Sequence, residues 1–310
     1  MKNGNRKFYM DDVMHVYQRA IHGFNIFYTL EDFLVFYTIF SVFSRRFKIT
    51  VLALCLMIDH FHALLISESR QNFYKFVSAV TARYSRVFNE SIDRKGRLFD
   101  KSFGSSPKNS DKQVRTAVPY LFNNPVEKKI CSNPADYMWN FLAYIYSDHP
   151  FSEEIISRKT SRRLKDTIAI INQCRIDEQW LNYRLLHRIY KNLSCDERKQ
   201  LTDYIIIKYM PFDIEKLQSF YKSPEMMLTA IESNTGSEYN IKEEFNQNSD
   251  LMYEDIKTHI IKNITSDLKR VLKMQLDEKI ELANQICANT MASSRQVAKF
   301  LHIPLQKRKS

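Results

Sequence analysis

Two histidines one residue apart, His60-Phe61-His62, have the clearest capacity for chemistry in this chain. They follow the apolar run ITVLALCLMI (49–58). In a β-strand, side chains at i and i+2 leave the same face. Two imidazoles would then project side by side from a rigid sheet and supply nitrogen ligands to a divalent cation. The alternative is a pair of structural histidines satisfied by hydrogen bonds, and either way imidazoles beside a buried strand need partners. Other chemistries lack their residues. The chain has no HExxH, no CxxC, no GxGxxG and no GxxxxGK[ST], and only 5 glycines in all. These absences argue against zinc fingers, Rossmann nucleotide enzymes and P-loop motors, and no nucleotide cofactor is expected.

The charge balance points to the partner class. A net charge of +11 and a pI near 9.3 point to a polyanionic partner, either nucleic acid or an anionic membrane surface, with a merely basic soluble protein as the alternative. Seventeen Tyr and 21 Phe interleave with the basic residues. That mixture suits single strands, whose bases stack on rings while Lys and Arg track phosphates. Arg83, Arg86, Arg97 and Lys101, with Arg94 and Lys95, make either a phosphate-contacting stripe or a solvated face; Arg19 is a further candidate contact. No stretch of 18 apolar residues occurs, and the longest, 33–43, runs into Arg45, Arg46 and Lys48, so a membrane span is not expected. MKNGNRKFYMDD lacks the apolar core of a secretion signal. Five scattered cysteines (Cys55, Cys131, Cys174, Cys195 and Cys287) fit a reducing compartment. A cytoplasmic, nucleoid-associated protein is expected.

The elements that must position the histidines follow from periodicity. Residues 13–21 read as a strand, 30–47 as a helix capped by Thr29, 49–58 and 61–67 as strands, and 71–91 as a helix. Gly96 to Gly104 reads as an extended segment or short hairpin, and 111–123 as a helix broken near Pro119 and ended by Pro125. This order closes as an α+β fold, a ferredoxin-like split β-α-β antiparallel sheet with helices on one face. After residue 150 the pattern turns helical through 153–230 and 250–300, with a polar loop at 232–249. Two domains are expected, 1–150 with the sheet and an all-α region 151–310.

Within 13–145 the chain resembles the HUH single-tyrosine transposases, named for their His-hydrophobic-His pair, and particularly the REP-associated tyrosine transposase branch. The likeness rests on stretches in order: MHVYQRAIHGFNIF (14–27), LEDFLVFYTIF (30–40), LCLMIDHFHALLI (54–66), YSRVFNESIDRKGRLFDKSF (84–103), VPYLFNNPVEKKI (118–130) and PADYMW (134–139). The resemblance implies that Tyr120, four residues before Asn124-Pro125, is the nucleophile. On a helix, i and i+4 share a face. It also implies that Asn124 completes the shell of a divalent Mg or Mn ion with His60 and His62. The implied reaction is DNA strand nicking and rejoining on single-stranded or hairpin DNA through a 5′-phosphotyrosine, in a protein that can pair with a second copy.

Three departures accompany the likeness. Ile58-Asp59 stands where the family has Pro-Asn; Asp59 would occupy the opposite strand face and is not expected to be a ligand. Lys128-Lys129 replaces a glycine, and Pro119 precedes Tyr120, so the helix either starts near Asp111 and kinks or starts at Pro119. These changes motivate the alternative of a domesticated, catalytically weak DNA-binding protein. Residues 276–304 read as two helices joined by a turn, either an ordinary helical hairpin or a helix-turn-helix. In the second case Ser294, Arg295, Gln296 and Lys299 would face DNA. The tail Gln306-Lys307-Arg308-Lys309 would add non-specific phosphate affinity.

Overall fold

A computed structural model describes residues 8–100, 102–156, 158–233 and 250–304. The polar loop at 232–249 falls almost wholly outside them, as do Lys101 and the basic tail at 306–309. The chain opens with β1 (Val13–Arg19), α1 (Leu30–Arg46), β2 (Thr50–Met57), β3 (His60–Ile66), α2 (Arg70–Ser91), β4 (Gly104–Lys108) and α3 (Asp111–Glu127). Thereafter come α4 (Arg162–Ile176), α5 (Tyr183–Tyr190), α6 (Cys195–Lys208), α7 (Ile214–Gln218), α8 (Pro224–Glu232), α9 (Met252–Asn263), α10 (Arg270–Lys273), α11 (Leu276–Asn289) and α12 (Ser294–Phe300). The sheet order is β2-β3-β1-β4, with β3 antiparallel to both neighbours, as a split β-α-β unit requires.

The strands alternate by face. Met14, Val16, Leu54, Leu56, Phe61, Ala63 and Leu65 join Phe36, Phe40, Phe76 and Val80 of α1 and α2 in one core. Val13, Cys55, Met57 and Leu64 turn the other way and pack with Val114, Ala117, Val118 and Leu121 of α3. Helices therefore cover both faces, where the sequence reading placed them on one. The stretch 96–104, expected as an extended segment or short hairpin, holds no named strand before β4 among its described residues. Ala20 makes an isolated bridge to Phe99, and 104–108 adds as β4, an edge strand on β1. Its composition, GSSPK, hides it from β-propensity, and Pro107 is tolerated because only one side of β4 is paired.

Helix α1 is buried along nearly its whole length because the helical second half closes over it. The Tyr37 hydroxyl donates to the Ile206 carbonyl at 2.8 Å, the Leu181 N–H donates to Thr38 Oγ1 at 3.1 Å, and Ser41 bonds the Tyr209 carbonyl. At the helix N-terminus Asp32 is fully buried. It accepts from the N–H of Tyr28 (2.8 Å) and Thr29 (3.0 Å) and from the Tyr183 hydroxyl (2.7 Å), and it pairs with Lys269. No described helix is long and apolar enough to cross a membrane.

Two stability outcomes follow. Asp32→Ala would strand the Lys269 ammonium in the interior, and an expected loss of roughly 3–5 kcal/mol is measurable by urea denaturation; a loss under about 1 kcal/mol would contradict this role. His302 is half-buried against Phe24, with ring centroids 4.5 Å apart, and its Nε2 donates to the Asn25 carbonyl at 2.7 Å. Burial pushes its pKa down to about 3 from the ordinary 6.5. The folded state holds the neutral ring, so this stability is present above pH 6.5 and drains away as pH falls toward 3. His302→Phe should flatten that acid loss by roughly 3–5 kcal/mol in pH-dependent denaturation.

Candidate active site

The cross-strand register assembles the site. Tyr17 lies opposite His62, Arg19 opposite His60, and Cys55 opposite His62 on the third strand. His15, Tyr17, His60 and His62 therefore share the face that α3 covers. The His60 and His62 rings sit 5.0 Å apart at 85°, both buried. Tyr120 descends onto them from α3. Its ring centroid is 5.7 Å from His15 and 5.7 Å from His62, edge-on to both, and the residue is 5% exposed. Tyr17 stacks on His62 from the other side at 6.0 Å.

α3 settles the question raised by Pro119. Ser110 caps the helix by accepting from Gln113 N–H, and the helix runs through both Pro119 and Pro125 to Glu127. Pro119 has no N–H to offer the Arg115 carbonyl, and the Tyr221 hydroxyl bonds that carbonyl instead at 3.4 Å. Tyr120 and Asn124 thus stay one turn apart on a single helix. Asn123 is anchored elsewhere, donating to the carbonyls of Pro119 and Ile231 at 3.0 and 2.7 Å. Asn124 is 1% exposed, and its Nδ2 has no hydrogen-bond partner among the described residues.

Each histidine of the pair is oriented from behind. Asp59 lies in the β2–β3 turn and not on the opposite strand face, and its Oδ1 is 2.5 Å from His60 Nδ1. With that nitrogen donating to the carboxylate, the other ring nitrogen, Nε2, is buried and has no hydrogen-bond partner among the described residues. His62 Nδ1 faces His15 Nε2 at 3.0 Å. Burial opposes ionisation of Asp59, but His60, Arg19 and Lys299 outweigh it and hold the carboxyl below the usual carboxylate range. Asp250, whose N–H donates to the Lys128 carbonyl, has its pKa pushed up to about 6 by burial and by the Asp59 charge.

This donor set fits a divalent cation. Two imidazoles share one sheet face and the buried Asn124 amide lies on the helix that covers it, the His60 Nε2 without a described partner is the atom a cation would satisfy, and a half-turn of the Asn124 amide exchanges its nitrogen for its oxygen. Among the described residues no three His, Cys, Asp or Glu side chains form a metal cage. Any ion here would keep positions open to an outside ligand, as catalytic sites require.

The remaining sequence candidates divide. Arg19 is half-buried on the histidine face, Arg83 is half-buried, and Arg86, Arg97 and Arg295 are exposed. Gln296 and Lys299 are corrected: neither is an exposed base-reading side chain. Gln296 is 6% exposed and closes a capping box with Ser293, while Lys299 is 9% exposed. The reason is that α12 docks on the sheet half. Tyr28 donates to the Phe300 carbonyl at 2.6 Å, Asn25 N–H donates to the Lys299 carbonyl at 3.3 Å, and Lys299 packs against Gly23 near Asp59.

Sequence reasoning missed His15, Asp59 as an orienting group, and Gly104. His15 was findable, since it lies two residues before Tyr17 on a strand that alternates. A Cβ on Gly104 would come within 2.1 Å of Tyr17 Cζ, so the glycine makes room for the Tyr17 ring; a lone glycine gives no such signal.

Residues 25–124 match the family model described as IS200-like transposase. A solved structure of a REP-associated tyrosine transposase bound to a REP hairpin is similar at 15% identity, over 46% of this chain and 84% of that one, with a TM-score of 0.40. No curated protein matches.

If Asp59 and His15 orient the pair, Asp59→Ala and His15→Phe should each weaken Mn²⁺ binding roughly 10- to 100-fold by titration calorimetry, with the circular dichroism spectrum kept. Unchanged affinity in both variants would contradict their role.

Proposed function

We propose that this protein, whose residues 25–124 match the IS200-like transposase family model, nicks and rejoins single-stranded or hairpin DNA with Tyr120 as nucleophile. The observation that carries the reading is the Tyr120 ring lying 5.7 Å from His62 on the helix face that also bears Asn124. In the proposed reaction the Tyr120 oxygen bonds to the scissile phosphorus and the phosphorus–O3′ bond breaks. The 5′ end remains on the tyrosine, and the leaving 3′ oxygen takes up the proton that the phenol gives up. The phosphoester is conserved, so a 3′-hydroxyl attacking the phosphotyrosine reverses the step and joins strands without a nucleotide.

His60, His62 and Asn124 would hold a divalent Mg or Mn ion. Bound there, the ion would neutralise phosphoryl charge and orient the phosphate for in-line attack. The protein's own groups do the rest. Asp59 and His15 fix the imidazoles, α3 sets the phenol above them, and Arg19, opposite His60, offers a guanidinium to the backbone beside the scissile phosphate. Arg83, Arg86, Arg97 and Arg295 would contact phosphates farther along the strand.

One observation favours a second reading, a DNA-binding protein of weak activity. Tyr120 is only 5% exposed, so a phosphate reaches it only if covering groups move.

One experiment separates the two. With labelled hairpin DNA and Mn²⁺, wild type should give a covalent adduct on a denaturing gel. Tyr120→Phe should give none, Tyr17→Phe should retain it, and chelation should abolish it. No adduct under conditions where the DNA binds favours the second reading, and an adduct in Tyr120→Phe overturns the nucleophile.

A further inference from the structure

Helix α5 opens with a cation where helix electrostatics disfavour one. The first turns of α1, α6, α9 and α11 each carry two carboxylates at the positive end of the helix dipole. The first turns of α4 and α5 carry none, and Arg162, Arg163 and Arg184 stand there instead. No acidic residue occurs between Glu178 and Asp196. Along that stretch Arg184, His187, Arg188 and Lys191 recur at i, i+3, i+4 and i+7, which is one helix face, and all four are exposed. Leu186, Ile189 and Tyr190 fill the opposite face and are buried.

Two neighbouring helices widen this stripe into a patch. Arg163 of α4 donates to the Asn192 carbonyl at 3.2 Å, and Arg198 of α6 donates to the Tyr190 carbonyl at 3.2 Å. Both side chains are exposed, and a guanidinium has donors beyond the one each spends on the main chain. Among the described residues none of these six side chains forms an ion pair with a carboxylate. Unpaired arginines at the positive ends of α4 and α5 oppose folding, so stability gives no account of them, whereas a bound anion does.

The phosphates of a DNA duplex fit the patch best. Arg184 to Lys191 spans about 10 Å along the helix axis, the rise of about three base pairs. The rings that α5 carries, Tyr183 and Tyr190, are tied inward by hydroxyl bonds with Asp32 and Thr202, so they offer unpaired bases no stacking platform. The apolar face of α5 is in the core, so none is left to enter a lipid surface. The Leu181 N–H, just before α5, and the Tyr183 hydroxyl both donate to α1, which packs on the sheet face opposite α3. The sheet and α1 therefore stand between the patch and Tyr120.

We propose that α5, with Arg163 and Arg198 beside it, is a seat for the backbone of duplex DNA, separate from the strand at Tyr120. The inference rests on DNA being the partner and adds a second segment of it, held without reading sequence. The seat lies outside residues 25–124, the stretch that matches the transposase family model.

The test is fluorescence anisotropy of blunt, fully paired duplexes with the full-length protein over a series of NaCl concentrations. Wild type should bind two duplexes of unrelated sequence alike. Arg184→Gln, Arg188→Gln and Lys191→Gln together should weaken both and reduce the slope of log affinity against log salt by about 2.7, the loss of three phosphate contacts. Lys75→Gln, Lys222→Gln and Lys262→Gln together remove the same charge from other exposed positions and should change the slope by less than about one. A slope that stays at the wild-type value in the α5 variant overturns the proposal, as does an equal loss in the lysine control. Tighter binding of phosphatidylglycerol vesicles than of duplex, lost in the α5 variant, would overturn DNA as the occupant. The loss in the α5 variant should recur in a His60→Ala background, and its disappearance there would overturn the separation from the tyrosine. The readout needs neither cleavage nor a hairpin, so a missing covalent adduct bears on Tyr120 and leaves the seat standing.

Discussion

Asp59 holds His60 Nδ1 at 2.5 Å and His15 meets His62 Nδ1 at 3.0 Å, and these contacts behind the two rings are what the site depends on. An unoriented imidazole presents either nitrogen and rotates about its side chain. A buried imidazole whose inner nitrogen is engaged presents the other one in a fixed direction. The rest of the sheet half follows as support. β3 places both histidines on one face, β1 brings His15 beside them, the β2–β3 turn brings Asp59, and Gly104 leaves room for Tyr17 against His62. α3 then needs only to carry Tyr120 and Asn124 on one side, which it does despite two internal prolines.

The helical second half contributes to the same arrangement from a distance. It buries α1, whose sheet-facing residues form the platform under β1 and β3. Asp32 collects two backbone N–H groups, the Tyr183 hydroxyl and the Lys269 ammonium at the start of α1, so residues far apart in sequence meet at one carboxylate. The last helix, α12, reaches the β2–β3 turn itself. Lys299 adds positive charge beside Asp59, which helps keep that carboxylate ionised. The segment that resembled a DNA-reading helix is thus packed against the histidine site, with Arg295 left on the outside.

Much of this was legible in the residues. His60 and His62 declared a shared strand face through their spacing, and α1, α2 and three strands declared themselves through apolar periodicity. Tyr120 was identifiable only through its spacing to Asn124-Pro125 and the resemblance that gave this spacing meaning, because nothing local separates it from 16 other tyrosines. What stayed hidden depended on contacts remote in sequence or on backbone shape. β4 has the composition of a loop. Asp59 read as a strand residue when it belongs to a turn, which reverses the direction of its side chain. Gln296 and Lys299 carried the right chemistry for DNA, but a helix's exposed face is decided by what it packs on, and α12 packs on residues near 25 and 59.

The central proposal is that two oriented imidazoles would hold one divalent ion near Tyr120. Pulsed electron paramagnetic resonance of Mn²⁺ added to the intact protein tests it most directly. The account expects hyperfine couplings from two imidazole nitrogens, with one lost in His60→Ala and one in His62→Ala. Bound Mn²⁺ without nitrogen coupling, or with couplings that survive both substitutions, would contradict it.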